Sequence, residues 1–413
     1  MEATSGVFLH IHNTAKFKDV GISLRFMAPL TREDASVRSL LAMMMTDRCE
    51  AYPSKKAMSD QQDFLYGATL SAQTVGYGKA QVLDIRMRMI DPRYVLEEDL
   101  MPNAFAFLHQ VLYHPLLNEE TLAEAKMVLK AKLERLRDDP SQYAVSRGLQ
   151  IAGKGTPMSI SALGEWERLE SISLTDIRKA HHRLLYEERI DIIGCGAFAE
   201  AEFAAMVQKY LPFDARSTNL QTHYTVKCSV SQPLVKEYRK IHQCSIFMLW
   251  QTNTDICESS YYALRMGTAM FGQYPTSLLF QEIREKRSLC YSIYAGLISY
   301  DGALGVTTGV EQEHIEETIR LTQTQFQRIA HGDFDDHLLE VSKTMMIHSL
   351  KASKDAMNSI IAQQYQNCVL QQQLSVEDRI ARMEKVTRED VMQAFQKCTR
   401  LMSFVVCKEG EAS

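Results

Sequence analysis

The sequence predicts an α+β protein of two homologous domains, each an antiparallel-rich sheet with helices packed on one face. Three observations support this prediction. The chain has 413 residues, which is more than a single hydrophobic core usually serves. One order of strands and helices occurs twice along the chain. Strand-like segments with short loops alternate with long amphipathic helices, and short loops between strands favour antiparallel hairpins.

The internal repeat is clearest at a Tyr-Pro turn. Tyr52-Pro53-Ser54 recurs as Tyr274-Pro275-Thr276, a separation of 222 residues (274 − 52). At the same separation the strand-like GISLRFMA, which begins at Gly21, matches QCSIFMLW, which begins at Gln243. In both halves this strand leads through a charged turn to a helix, the Tyr-Pro turn, a second helix and further strands. A shared order of elements is much less expected by chance than one dipeptide, and it predicts two homologous domains.

The two halves also end alike. A helix opens with a hydroxyl residue and an acid three positions later, Ser173 with Asp176 and Thr387 with Asp390, and an apolar strand follows. Between the halves, residues 213–240 have weak periodicity and clustered turn formers, which predicts a linker with a strand at its end. The predicted boundaries are 1–212 for the first domain, 213–240 for the linker and 241–413 for the second domain.

Composition excludes several classes of protein. The net charge is −5 with both signs mixed, which argues against a nucleic-acid or anionic membrane surface. No apolar stretch approaches the roughly 18 residues of a membrane span. The first residues lack the basic and apolar regions of a signal peptide. Nine cysteines without a C-x-x-C pair indicate reduced thiols, so the sequence predicts a cytoplasmic protein.

The sequence contains neither a glycine-rich phosphate-binding motif nor the G-x-S-x-G motif of a nucleophile elbow. His10 and His12 flank Ile11 on a predicted strand and share one face, so they are candidate metal ligands. No matching third ligand lies nearby in the sequence, so His10 and His12 are equally well explained as ordinary surface or half-buried histidines.

The repeat and the short motifs within it resemble the insulinase/pitrilysin family of zinc metallopeptidases, in its half-size, processing-peptidase-like branch. The resemblance covers roughly residues 6–408. It implies two such domains per chain and a zinc site built from an inverted H-x-x-E-H on an early helix plus a Glu on a later helix. Two histidines one turn apart face one metal, and the Glu between them activates the bound water.

Against this family pattern the zinc motif of the chain is degenerate. Counted back from the Tyr-Pro-Ser turn, H-x-x-E-H falls on LLAMM, which places Leu40 and Met44 at the histidines and Met43 at the general base. On the later helix one Glu of the pattern is kept as Glu124, but the ligand position is Ala131. The resemblance therefore implies no zinc on this chain, whereas the methionines alone would indicate adaptable core packing.

The second half of the chain keeps another part of the family's active site. In LLFQEIREKRSLCYSIYAG, Arg284 and Tyr291 stand seven residues apart, as does the family pair that holds the substrate carbonyl. A guanidinium and a phenol can both stabilise a developing oxyanion. Without the resemblance, an Arg at a helix end and a Tyr on a strand are ordinary structural residues.

One strand resembles the family's substrate-binding edge. The segment YGATLSAQT, residues 66–74, matches the edge strand to which a peptide adds through main-chain hydrogen bonds, although an ordinary sheet strand fits the segment equally well. The residues predicted to contact peptide are Ala68, Thr69, Leu70, Ser71, Ala72, Gln73 and Thr74.

The resemblance implies a non-catalytic subunit of a heterodimeric zinc endopeptidase, whose homologous partner carries the zinc and whose substrate is a peptide. Related surfaces would also allow a homodimer when the chain is alone. Among bacterial pairs the chain is similar to the zinc-less member associated with aminopentanol modification of elongation factor P. The alternative is a homodimeric peptide-binding or scaffolding protein. A third hypothesis is an independent enzyme with a relocated metal at His10 and His12.

Overall fold

The computed structural model describes residues 2–96, 99–217, 220–228 and 233–409. Residues 218–219 and 229–232 of the predicted linker lie outside this described part. The strands, in chain order, are β1 (Glu2–Thr4), β2 (Val7–Asn13), β3 (Asp19–Pro29), β4 (Thr69–Tyr77), β5 (Ala80–Ile90), β6 (Arg189–Gly196), β7 (Leu234–Arg239), β8 (Cys244–Gln251), β9 (Cys290–Ile298), β10 (Ala303–Val310) and β11 (Thr399–Lys408).

The described helices are longer on average than the strands. In chain order they are α1 (Arg32–Met45), α2 (Lys55–Phe64), α3 (Leu100–Tyr113), α4 (Glu119–Asp138), α5 (Pro140–Ala152), α6 (Leu174–Tyr186), α7 (Glu200–Tyr210), α8 (Tyr261–Gly272), α9 (Ile315–His331), α10 (Asp336–Ser353), α11 (Met357–Val369), α12 (Val376–Glu384) and α13 (Arg388–Gln396). None of these helices is long and apolar enough to cross a membrane.

The chain folds into two compact units, and each unit is assembled from stretches that are separate in sequence. So far as they are described, the first takes in Met1–Leu133, Ile160–Gln221 and Lys354–Gln372, and the second takes in Glu134–Ser159, Thr222–Ser353 and Gln373–Ser413. The predicted domain boundaries concern homology rather than compactness, and they stay a prediction.

The two sheets confirm the predicted α+β fold and make the repeat visible. The first unit has the strand order β1-β2-β6-β3-β5-β4, and the second has β7-β11-β8-β10-β9. Apart from β1, each sheet has one parallel pair at one edge, β2 with β6 and β7 with β11, and antiparallel pairs elsewhere. The far edge strands β4 and β9 are both nine residues long and begin 221 residues apart (290 − 69).

In the first unit the sheet is covered on both faces, whereas the sequence predicted helices on one face only, because a helix distant in sequence packs on the second face. Alternate residues of β3, among them Ile22, Leu24 and Phe26, enter a hydrophobic core that also includes residues of α1, α3 and α6. The other face is covered by α11. At Gly21 a Cβ would lie 2.6 Å from the sulfur of Met357, so the missing side chain lets α11 approach the strand.

In the second unit helices also cover both faces of the sheet. On one face Trp250 of β8 stacks on Phe326 of α9 with ring centroids 5.1 Å apart, and Phe395 of α13 packs against that same ring. On the other face Phe247 of β8 belongs to a core cluster with residues of α5. Gly148 of α5 is essential to this contact, because a Cβ there would lie 2.5 Å from the Phe247 ring.

The predicted helix starts before the last strand of each half are present. Ser173 with Asp176 and Thr387 with Asp390 both form capping boxes, in which the hydroxyl accepts from the acid's backbone N–H and the carboxylate accepts from the cap's backbone N–H. Each box satisfies exposed donors of the first helical turn and places a negative charge at the positive helix end.

The contact between α5 and the second sheet yields a stability prediction. Gly148→Ala improves helix propensity by about 1 kcal/mol, but its methyl group overlaps a fully buried ring, and overpacking typically costs about 1–3 kcal/mol. We expect a net loss of stability in chemical denaturation. Ser146→Ala, on the exposed side of α5, is the control and should be neutral or slightly stabilising. Equal effects of the two changes would contradict this packing.

Candidate functional site

The helix at the predicted zinc motif is α1. It starts at the N-cap Thr31, whose hydroxyl accepts from the backbone N–H of Asp34. Leu40 and Met44, one turn apart, are fully buried in the core of the first unit. Met43 is half-buried and packs against the same core. The helix therefore directs an apolar surface inward at the positions predicted to match the family's zinc ligands.

These side chains do not fit a catalytic zinc. Leu40 has no donor atom, and Met43 and Met44 offer thioethers, which are soft and weak donors compared with imidazole. No carboxylate stands at position 43 to accept a proton from a metal-bound water. The donor chemistry of α1 thus excludes the zinc-peptidase arrangement that the family pattern describes.

The later helix, α4, places its two predicted positions differently. Ala131 is exposed and lies outside the core cluster that contains Leu40 and Met44. Glu124 is half-buried and pairs with Lys55 at 2.6 Å and with Arg48 at 3.0 Å. The hydrogen bond from Lys55, followed by that from Arg48, lowers the pKa of Glu124. The retained acid is neutralised by two cations.

This ion-pair network was missed by sequence reasoning. Arg48 also contacts Asp47 at 2.7 Å and Glu120 at 3.4 Å. The signal was present in the charged turn TDRCEAYPSKK that follows α1, whose cations could have been matched to the acids at the start of α4. The network ties the end of α1 to α4 through charges.

Arg284 and Tyr291 lie on consecutive elements of the second unit. Arg284 belongs to a π-helical segment, Phe280–Glu285, and its guanidinium lies 4.3 Å above the Phe280 ring. Its side chain is 40% exposed. Ser288 adopts a left-handed conformation, φ 53°, in the turn to β9. Tyr291 is the second residue of β9, and 88% of its surface is exposed.

A β-bulge at the start of β9 orients Tyr291. Cys290 pairs with Val310, and Ile293 pairs with Thr308. Strand β9 therefore advances by three residues where β10 advances by two, so β9 contains one extra residue. The extra residue lets Cys290 and Ile293 both turn inward, while Tyr291 and Ser292 are both exposed. Bulges and π-helical turns often re-aim side chains at functional sites, and sequence reasoning missed both of them here.

The predicted substrate strand is the edge strand β4. It pairs with β5 and ends the first sheet on that side. The strand begins at Thr69 and not at Tyr66 as predicted, because Tyr66 and Gly67 adopt left-handed conformations, with φ of 57° and 73°. Ala68 is buried just before the strand. The residues Thr69, Leu70, Ser71, Ala72, Gln73 and Thr74 lie on the strand, with alternating exposure.

The third hypothesis, a relocated metal, concerned His10 and His12. His10 contacts Asp191 through Nε2 at 3.0 Å and Cys368 through Nδ1 at 3.2 Å. Asp191 is fully buried and also accepts two hydrogen bonds from Arg189. Among the described residues His12 is not part of this cluster. Burial raises the pKa of Cys368 to about 12, which keeps this thiol protonated within the hydrogen-bonded cluster.

Comparison with known sequences points to one family. The model of the peptidase M16 inactive domain matches residues 171–346. "Probable inactive metalloprotease YmfF" of Bacillus subtilis is 24% identical over 398 residues, 95% of this chain and 93% of the relative. The match confirms the predicted resemblance to the insulinase/pitrilysin, or M16, peptidases.

Solved structures agree on the fold. A conserved protein from Enterococcus faecalis superposes with a TM-score of 0.93 at 25% identity, covering 100% of this chain and 99% of that chain. A peptidase M16 inactive domain from Pseudomonas fluorescens superposes with a TM-score of 0.82 at 20% identity, covering 100% and 98%. The two-sheet architecture is therefore an M16-like fold.

Restoring the zinc motif on α1 should destabilise the protein. The triple change Leu40→His, Met43→Glu and Met44→His places polar groups in a dry core, which costs about 3–5 kcal/mol or more. Zinc should not compensate, because α4 provides no matched third ligand. Chemical denaturation with and without zinc tests this. Met127→Glu, at an exposed position of α4, is the control for a Met-to-Glu change in a helix. A stable triple variant with tightly bound zinc would disprove the packing argument.

The Glu124 network should contribute to stability only above acidic pH. Because the folded state lowers the pKa of Glu124, its stabilisation is complete above the ordinary glutamate value, about 4.3, and disappears as the pH falls through the lowered value. The melting temperature of Glu124→Gln should therefore lie below that of the parent at pH 7, and the difference should shrink as the pH falls below about 4.3. A difference that did not shrink on acidification would assign the effect to something other than the charge.

Proposed function

Because the chain is an inactive homologue of the M16 peptidases, we propose that it is the zinc-less subunit of a heterodimeric peptidase. In this proposal a homologous partner carries the zinc, and this chain contributes Arg284 and Tyr291 to the binding of a peptide substrate. The two side chains donate hydrogen bonds to the scissile carbonyl oxygen and stabilise the negative charge that develops on it.

The observation that carries the proposal is the presentation of Tyr291. A phenol that is 88% exposed on an edge strand gains little from its own fold, yet a bulge holds it outward. The stacking of Arg284 on Phe280 restricts the guanidinium while leaving it accessible. Such preorganised donors can bind an oxyanion without large reorganisation.

A groove on the second unit begins at the residue after Tyr291 in β9. This groove of about 530 Å³ is lined by Ser292 and Tyr294 of β9 and by Thr307 and Thr308 of β10, together with polar residues around Lys240. Main-chain groups on the free side of an edge strand can pair with an extended peptide. Nine free cysteines support a cytoplasmic, reducing location for the complex.

A second candidate function is a homodimeric peptide-binding or scaffolding protein. It is favoured by β4, which offers a free strand edge with alternating exposed side chains and requires no catalytic group. In that case the exposed surface of Tyr291 would serve binding alone. The two functions differ in whether changes at Arg284 and Tyr291 alter turnover by a complex.

The test is cleavage of an unstructured peptide by the chain reconstituted with a zinc-bearing M16 homologue from the same organism. Tyr291→Phe removes one donor and should lower kcat about a hundredfold, since loss of one oxyanion donor costs about 3 kcal/mol. Arg284→Ala should impair turnover as well. Neither change should alter zinc content or the fraction of heterodimer.

Tyr238→Phe is the matched control, because Tyr238 is 60% exposed on β7, the opposite edge strand of the same sheet. It should leave kcat within twofold of the parent. Normal cleavage by both Tyr291→Phe and Arg284→Ala would refute the catalytic contribution. A chain that forms only homodimers and binds peptide would establish the scaffold function.

A further inference from the structure

A second group of chemically active side chains lies in the second unit, away from the elements that carry Arg284 and Tyr291 in sequence. Asp255 and Cys257 belong to the turn between β8 and α8, and His223 comes from the preceding connection. The Nδ1 atom of His223 lies 2.8 Å from Oδ2 of Asp255, and its Nε2 atom lies 3.7 Å from the sulfur of Cys257. The three side chains form a thiol–imidazole–carboxylate row.

The carboxylate determines how the imidazole is oriented. Oδ1 of Asp255 accepts the backbone N–H of Cys257 at 2.9 Å, while the backbone N–H of Asp255 donates to Glu258 at 3.0 Å. An ionised carboxylate can only accept, so Nδ1 of His223 must carry the hydrogen in their contact. Nε2 then presents its lone pair toward Cys257. This is the arrangement of a nucleophile, a base and a group that orients the base.

The accessibility of Cys257 separates it from the other thiols. It is exposed, whereas the remaining eight cysteines are buried or half-buried. Burial raises the pKa of many of these others, to about 11 for Cys195 and to about 12 for Cys398, which keeps them protonated and unreactive.

We infer that Cys257 is a reactive thiol, activated by His223 and Asp255, and that it is the site at which small disulfides modify this protein. The inference concerns residues that the proposed peptidase role does not use. It assigns a chemical property to a turn that sequence analysis left without a function.

The reaction balances within this cluster and one disulfide reagent. The Cys257 thiol transfers its proton to Nε2 of His223, and Asp255 stabilises the imidazolium. The thiolate attacks one sulfur of the disulfide, so a new S–S bond forms as the old one breaks. The second sulfur leaves with the bonding electrons and takes up the proton. Cys257 is oxidised to a mixed disulfide, and the reagent is reduced to a thiol.

The contact between His223 and Asp255 works against a metal ion bound through Nε2 of His223, although the three residues offer ligand atoms close together. A metal held by Cys257 and by Nε2 of His223 would need its third ligand on the Nε2 side of the ring. Asp255 instead bonds Nδ1, on the other side, which is the position of an orienting partner.

The experiment measures the reaction of the full chain with the aromatic disulfide 5,5′-dithiobis(2-nitrobenzoate) at pH 7. We expect one fast thiol, lost in Cys257→Ala. The variants His223→Gln and Asp255→Asn should slow this phase roughly tenfold, because an ordinary cysteine is only a few per cent thiolate at this pH. Cys257→Ala with Met127→Cys is the control, since position 127 is 66% exposed on α4 and the change creates an ordinary exposed thiol.

The control keeps the inference testable even if a variant at His223 or Asp255 fails to fold. Faster reaction of Cys257 than of the thiol at position 127, by about tenfold, supports the inference. Equal rates for the two thiols, or an unchanged fast phase in folded His223→Gln, would overturn it and leave Cys257 an ordinary surface cysteine.

Discussion

The fold depends on the need to cover both faces of each central sheet. Strands β3 and β8 are buried along almost their whole length, so one layer of helices cannot suffice. In each unit the second cover is a helix from a distant stretch of chain, α11 in the first and α5 in the second. Glycines at the contacts, Gly21 against Met357 and Gly148 against Phe247, let these helices approach closely. Close packing of this kind has little tolerance for added volume.

Once both faces are covered, the edges of a sheet are where backbone and side chains stay available. The edge strand β9 shows the consequence within the second unit. Its inward residues complete the core, and a single bulge is enough to turn Tyr291 outward. The π-helical turn before it places Arg284 close by in sequence. An apparently ordinary strand thereby acquires an accessible phenol.

In the first unit the helix of the predicted zinc motif is part of the core. Leu40 and Met44 of α1, the positions predicted to match the family's histidines, are both fully buried there. Apolar side chains suit this environment, because buried polar atoms need partners. The acid Glu124 of α4 instead pairs with Lys55 and Arg48. The cluster of Cys257 shows the opposite case, in which polar groups stay at the surface and keep their reactivity.

The sequence by itself determined the features that depend on local or periodic patterns: the α+β class, the repeat, and the capping boxes at Ser173 and Thr387. Tertiary structure alone decided the rest. The bulge at Tyr291 depends on the pairing of β9 with β10, and the row of His223, Asp255 and Cys257 joins residues more than 30 positions apart. The assignment of α5 and α11 to their sheets likewise depends on contacts between distant stretches. Such contacts leave no periodic trace, because each is specified by the shape of both partners.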